Sequence, residues 1–327
     1  MRIFRSCVRS FSVISAVLFT LAVLPAFAYP EGRITLVVPF AAGGTTDAIA
    51  RVIADALGAK LGQTVLVENR PGAGTMVGST YVVKARPDGY TLLMASADSL
   101  TTGLAMRRNP PFDPLKDFTT IALLTVSPMV VSVNPKVPAT NLKELTAYAT
   151  STGQPIRYGT GGAGTIMHLT GEMLALETGI SLLHVPYRGG ALAVSDAIGG
   201  QIETLIVGPT SVQSQIQAGQ LRGLVQTGET RHPLLPDVPT ATELGLPKFN
   251  AMSFFGIVGP AKLPLDVTEK LSNALLAIAN DPKIKQQIIS VGGQGDALGP
   301  DEFAKFIARD LKQWQDVIAA SKIERVD

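Results

Sequence analysis

The chain holds a single cysteine, Cys7, among 327 residues. It sits in a segment expected to be removed, so no disulfide and no thiol chemistry are expected afterwards, and the core alone must hold the fold. Histidine is nearly as scarce. His168, His184 and His232 stand far apart in sequence, and none sits in a His/Cys ligand cluster, so neither a metal nor another cofactor is expected. Charge is low and even, with 28 Lys+Arg against 26 Asp+Glu. No cluster of Lys and Arg with interleaved aromatics points to nucleic acid. After residue 28 no segment is long and charge-free enough to span a bilayer, so a soluble mature protein is expected. There is no G-x-S-x-G nucleophile elbow.

The N-terminus carries what the rest lacks. Arg2, Arg5 and Arg9 form a basic start, Phe11 to Leu24 an uncharged apolar run, and Ala26-Phe27-Ala28 a small-x-small cleavage site. In this order they read as a secretory signal peptide over residues 1–28, cut after Ala28. A membrane anchor would need an apolar run of ~20 residues. The leader takes three of the 28 basic residues and none of the 26 acids, leaving 25 against 26 and a mature net charge of about −1. Cys7 lies far from the cleavage site, so no lipid anchor is expected there. The remaining length suits two domains rather than one.

The pattern along the chain is α/β. Ile34–Phe40 is a continuous apolar run, as in a strand buried on both faces. Thr46–Leu57 has apolar residues at helical spacing, with Gly58 and Gly62 to end it. Thr64–Glu68 is a second strand. A turn-rich loop over Asn69–Gly78 leads into a helix to Lys84, and Tyr90–Ala95 is a third strand. Strands alternating with helices imply parallel βαβ units. The grammar then restarts with strand Pro155–Gly159, a glycine-rich turn, helix Thr165–Glu177, strand Ser181–Val185, Arg188-Gly189-Gly190 and helix Ala191–Ile198. Strand, glycine loop, helix thus recurs in two similar lobes whose residue identity is low. After Thr240 come a strand-like Phe254–Val258, a helix Pro264–Asn280 capped by Asp266, and a last helix Pro300–Ser321. A chain that forms a cleft returns to its first lobe. Lobe 1 is placed at 29–128 and 249–327 and lobe 2 at 129–248, with crossings near Pro128 and Phe249.

Two glycine loops, Pro39–Asp47 and Tyr158–His168, end at helix N-termini. The first backbone N–H groups of a helix have no intrahelical partner, and the dipole adds partial positive charge. Glycines let an anion approach closely. Two such loops facing each other could grip one carboxylate without an arginine, with hydroxyls from Thr45, Thr46 and Thr165. Alternatively, the glycines serve only as tight strand-to-helix turns. Gly159-Thr-Gly161-Gly-Ala-Gly164 fits G-x-G-x-x-G literally. A dinucleotide site also needs an acid about 20 residues on, and the next strand ends His184-Val-Pro-Tyr-Arg188 without one. Asp47 in the first turn complements the dipole, and Arg51 one turn later reads as its ion-pair partner. His168 is open to two readings, a ligand contact or a satisfied, partly buried histidine.

Seven segments carry a resemblance that covers the whole mature chain. They are Val38-Pro-Phe-Ala-Ala-Gly-Gly-Thr-Thr-Asp47 with Ala50-Arg51, Glu68-Asn-Arg-Pro-Gly-Ala-Gly74, Arg86-Pro-Asp-Gly-Tyr90, Tyr158 to His168, His184-Val-Pro-Tyr-Arg-Gly-Gly190, Gly199-Gly-Gln201 and Asp237-Val-Pro-Thr240. In this order and spacing the chain resembles the tripartite tricarboxylate transporter substrate-binding receptors, the Bug proteins. The resemblance implies a type II periplasmic binding-protein fold that closes by hinge motion. It also implies a periplasmic location, a monomer, no catalysis, and delivery of a small carboxylate to membrane permease subunits. In such receptors the two loops pin a ligand carboxylate, often through ordered waters. Matching positions are Phe40, Ala41, Gly43, Gly44, Thr45 and Asp47 in the first loop, and Thr160, Gly162, Gly164, Thr165 and His168 in the second. Ser96, Ser127, Tyr187 and Gly190 are expected at other cleft edges. One departure stands out: Glu203 occupies a place where many relatives have an aspartate, and Val207-Gly208-Pro209 carries no acid. That favours a non-amino mono- or dicarboxylic acid. A ligand sensor for a signalling receptor and a secreted α/β enzyme are the competing readings.

Overall fold

The computed structural model describes residues 29–295 and 297–326. The expected leader, residues 1–28, lies outside the described residues. The elements run β1 (Ile34–Val38), α1 (Thr45–Leu61), β2 (Val65–Asn69), α2 (Met76–Val83), β3 (Thr91–Ser96), α3 (Ala97–Leu100), α4 (Thr102–Ala105) and β4 (Phe118–Pro128). They continue with β5 (Val130–Val133), α5 (Leu142–Thr152), β6 (Ile156–Thr160), α6 (Ile166–Thr178), β7 (Leu182–Pro186), α7 (Gly190–Gly199), β8 (Thr204–Val207), α8 (Gln213–Gln217) and β9 (Arg222–Gln226). The chain ends with β10 (Met252–Pro260), α9 (Leu265–Ala279), α10 (Pro282–Ser290) and α11 (Pro300–Ser321).

Two sheets result, in the orders β2-β1-β3-β10-β4 and β7-β6-β8-β5-β9. They superimpose as a pattern: β1-α1-β2-α2-β3 in one corresponds to β6-α6-β7-α7-β8 in the other. The βαβ strands pair in parallel in both. The fourth strand of each sheet is antiparallel to its neighbours, because it enters from the other sheet's side of the chain. The two crossings lie side by side. β4 passes into β5 through Met129, and Thr227 ties that passage to the return. The Met129 N–H donates to Thr227 Oγ1 at 2.8 Å, and the Thr227 hydroxyl donates to the Ala251 carbonyl.

Local sequence explains most element ends. α1 buries Ile49, Ile53 and Leu57 and stops at Gly62, whose φ of 68° suits glycine. Gly58 lies inside the helix rather than ending it; a Cβ there would meet the Gln63 carbonyl at 3.0 Å, so the glycine permits the following chain to pass close behind. Asp266 is not the cap of α9. Pro264 takes that position with no side-chain bond, and Asp266 sits in the first turn, where its charge complements the dipole. α11 lies against both β4 and α6, burying Phe303, Ile307 and Trp314. No described helix is long and apolar enough to cross a membrane.

Candidate functional site

β1 ends at Val38 and α1 begins at Thr45, so the intervening loop lies at the C-terminal edge of the first sheet. Asp47, on the first turn of α1, is 3% exposed. Its Oδ2 accepts from the Gly43 N–H at 3.0 Å and Arg51 Nε at 2.9 Å; its Oδ1 accepts from Arg51 Nη2 at 3.0 Å and Asn69 Nδ2 at 2.9 Å. Burial works against its charge, but the bonds from Arg51, Gly43 and Asn69 outweigh it and hold the carboxyl below the usual range. All four acceptor positions of the carboxylate are taken. These bonds make Asp47 a brace of the first loop. The expected Arg51 pair is part of that brace.

The second loop repeats the device with different chemistry. His168 stands three residues after the cap Thr165, as Asp47 stands three after the cap Gly44. Its Nδ1 accepts from the Gly164 N–H at 3.1 Å. In each lobe, a glycine with positive φ just before the cap (Gly43, φ 93°; Gly164, φ 75°) donates back to the third helical residue. Because Nδ1 is an acceptor, His168 is neutral. Its ring stacks on His184 with centroids 3.9 Å apart, and His184 Nε2 lies 2.7 Å from Thr160 Oγ1. Burial pushes His168 down to about 4; burial and the adjacent His168 push His184 down to about 3. His168 is thus satisfied and buried within its own lobe. The fold thus stacks two histidines that the sequence separates by 16 positions. The Thr160 hydroxyl serves the same brace, accepting from the Gly162 N–H at 3.2 Å.

Between the loops lies a cavity of about 270 Å³. Phe40 and Ala41 line it from the first loop, Gly164 and Thr165 from the second. The other expected residues are placed around it rather than on its wall. Gly43 and Gly44 are exposed on the first loop, with Thr45 partly so. Gly162 lies further back on the second loop. Ser96 and Ser127 are buried at strand ends. The Tyr187 hydroxyl turns away to Asp196 at 2.7 Å, and Gly190 opens α7 against Val207.

Sequence reasoning did not place on the wall several residues that line it, among them Gly72, Gly74 and Thr75 ahead of α2, then Asp98, Met106 and Arg107. Asp98 matters most among them. It sits two residues beyond β3, and its Oδ1 accepts the first N–H of α6, from Ile166, at 2.8 Å across the cleft. The signal was available, since an acid directly after a strand end in the first lobe can reach the cleft. Glu203, by contrast, precedes β8 at the sheet end remote from the loops, and pairs with Arg157. Glu203 therefore stands away from the loops, whereas the acid-free Val207-Gly208-Pro209 follows β8 at its loop-side end.

The family model of the tripartite tricarboxylate transporter family receptor matches residues 49–323. A UPF0065 protein from the TAR-I ttuE-ttuC' intergenic region of Agrobacterium vitis is 35% identical over 85% of this chain and 81% of its own. Protein BugT of Bordetella pertussis is 32% identical over 89% of each. Among solved structures, a periplasmic transporter superimposes with a TM-score of 0.81 at 38% identity, covering 91% of this chain and all 100% of its own. The R. palustris protein Rpa4515, solved with adipate, gives 0.80 at 28% identity, covering 90% and 99%. MatC from Rhodopseudomonas palustris, solved with malate, gives 0.76 at 28%, covering 89% and 100%. The fold is that of a two-lobed periplasmic binding protein, and the chain belongs to the tripartite tricarboxylate transporter receptor family.

Proposed function

We propose that this chain is a periplasmic solute receptor that closes on a small carboxylate and delivers it to the membrane permease subunits of a tripartite transporter. The observation that carries the reading is the cavity itself, walled by one glycine loop from each sheet, each loop leading into a helix N-terminus. The first turn of α1 offers the anion site. Its cap, Gly44, makes no side-chain bond, so the amides of Thr45 and Thr46 have no capping partner. The carboxylates in Rpa4515 and MatC support the same class of ligand here. The reading treats residues 29–128 with 249–327 as one lobe and 129–248 as the other, hinged at Met129 and the stretch before Phe249. It takes the receptor as a monomer, without catalysis, exported by the leader cut after Ala28.

The test is calorimetric titration of mature protein, stripped by unfolding and refolded, against mono-, di- and tricarboxylates. A Kd of about a micromolar or tighter is expected for at least one acid. No heat across a broad panel removes the carboxylate reading. Mass spectrometry of the bound acid after incubation should return it unchanged.

A further inference from the structure

We propose that Asp98 selects the ligand, favouring carboxylates that also carry a hydrogen-bond donor, a hydroxyl or an ammonium. The inference rests on the receptor reading above and sharpens it.

Asp98 is held from both lobes. Its Oδ1 accepts from the Ile166 N–H at 2.8 Å and from the Thr102 hydroxyl at 3.0 Å. Its backbone carbonyl accepts from Thr75 Oγ1 at 3.0 Å. Just beyond, the Thr101 hydroxyl meets the buried Asp310 of α11 at 2.6 Å, which fixes the short helix that carries Asp98. The carboxylate therefore has a set position on the cavity wall, beside Phe40, Thr75, Gly164 and Thr165.

Two consequences follow. The α6 N-terminus, one of the two anion sites suggested by the loops, already holds an anion from its own chain. A ligand carboxylate placed there would meet Asp98 head-on, and like charges at that range repel. The ligand's carboxylate is thus directed to the α1 end of the cavity. Second, Asp98 Oδ2 makes no hydrogen bond among the described residues. An ionised carboxyl accepts and cannot donate, so what completes it from the cavity must be a donor. A wall oxygen left unpaired against a plain hydrocarbon segment is costly, and that cost rejects acids lacking the donor. Burial raises the Asp98 pKa and the bonds from Ile166 and Thr102 offset this only in part, so the preference for donors belongs to the pH range in which the carboxyl is ionised.

The test uses matched sets of equal chain length, with three to six carbons: the unsubstituted acid, its 2-hydroxy form and its 2-amino form. Succinate, malate and aspartate are one such set. Stripped and refolded full-length mature protein is titrated with each. In any set that binds, a donor-bearing member should bind about tenfold or more tightly than the unsubstituted acid. In Asp98→Asn that ratio should collapse to within about threefold. Absolute affinities fall for every member as the bridge between the lobes weakens, so the ratio is the readout that a purely structural role would leave unmoved. If Asp98→Asn does not fold, Asp98→Ser serves: it keeps a small polar side chain and has no second oxygen. Equal binding of the unsubstituted acid, or a preference that survives the substitution, overturns the proposal while leaving the receptor intact. Absence of binding by every set, tricarboxylates included, overturns the receptor reading and this inference with it.

Discussion

The N-termini of α1 and α6 are built to one plan and left in opposite states. Each follows a glycine loop, and each is braced by a bond from the glycine before the cap to the third helical side chain. In α1 that side chain is a carboxylate neutralised by Arg51; in α6 it is a neutral imidazole. The α1 cap is a bare glycine, and its first amides face outward without a side-chain partner. The α6 cap is Thr165, bonded to the His168 N–H, and the Ile166 amide is taken by Asp98. A neutral brace leaves the positive end of a helix dipole free to hold a charge, and here it holds one from the opposite lobe. Equivalent architecture therefore need not mean equivalent use: one terminus is open to an external anion, and the other is spent on joining the lobes.

Blocking the open terminus of α1 should have the largest effect. Gly44 has φ −85°, and a Cβ there would meet nothing within 4 Å. Gly44→Phe should therefore fold normally and set a bulky ring at the first turn of α1; if the ligand carboxylate is held there, affinity falls at least about a thousandfold, roughly 4 kcal/mol. Retained affinity in a folded variant would show that α1 is not the anion site. Gly162 is a poorer probe. Its φ of +141° is hostile to any side chain, so a bulky residue there damages the loop whether or not it touches ligand.

Much of this was legible beforehand, for physical reasons. The buried runs of β1 and β3 and the apolar spacing in α1 follow from burial on both faces and on one face. The repeat was visible because loop glycines with positive φ cannot be replaced cheaply. The equivalence of Asp47 and His168 was present in their shared spacing, four residues after Gly43 and Gly164 respectively. It stayed hidden because chemical unlikeness obscured a common role. β4, the longest strand at 11 residues, was not anticipated, since its Thr and Ser positions break the apolar pattern. Asp98 was missed because its partner, Ile166, is 68 residues away, and only the tertiary packing of the two lobes brings them together.

Removing each brace in turn ranks them. Asp47→Ala leaves the Gly43 N–H without its acceptor and Arg51 without its pair. Arg51 is half exposed and can hydrate, so the loss should be about 2–3 kcal/mol rather than the larger cost of a fully buried pair. His168→Ala removes a neutral acceptor and a stacked ring, and should cost less, about 1–2 kcal/mol. Urea denaturation of the two variants reads the difference; a larger loss for His168 would reverse the ranking.

Acid should separate the two lobes. His168 and His184 have pKa values below the ordinary 6.5, so their folded-state preference for the neutral form is fully present above pH 6.5. It is lost as pH falls from 6.5 toward about 4 and then 3, because the unfolded chain takes up protons first. Asp47, with its pKa lowered, keeps its contribution until pH falls below the ordinary value of 3.8. Lobe 2 should therefore weaken at milder acidity than the Asp47 brace, by up to roughly 3 kcal/mol for each histidine at pH 4. Asp310 acts in the opposite sense. Burial pushes it up to about 7, so its contribution is fully present below 3.8 and is lost as pH rises from there to about 7. Comparing melts of the wild type with His168→Gln/His184→Gln from pH 7.5 to 4.5 cancels that contribution. Equal acid sensitivity in both would remove the histidines as the cause.

The smallest expected effect falls outside both termini. Glu203 pairs with Arg157 at the sheet end away from the cleft, and Arg157 is 45% exposed. Exposed pairs contribute little, so Glu203→Gln should cost at most about 1 kcal/mol. Ligand affinity and the ratio between donor-bearing and plain acids should both stay as in the wild type. A changed ratio would mean that an acid far from the loops influences selectivity. An unchanged ratio, set beside its collapse in Asp98→Asn, would assign selectivity to the acid that joins the two loops rather than to the one whose substitution stands out in the sequence.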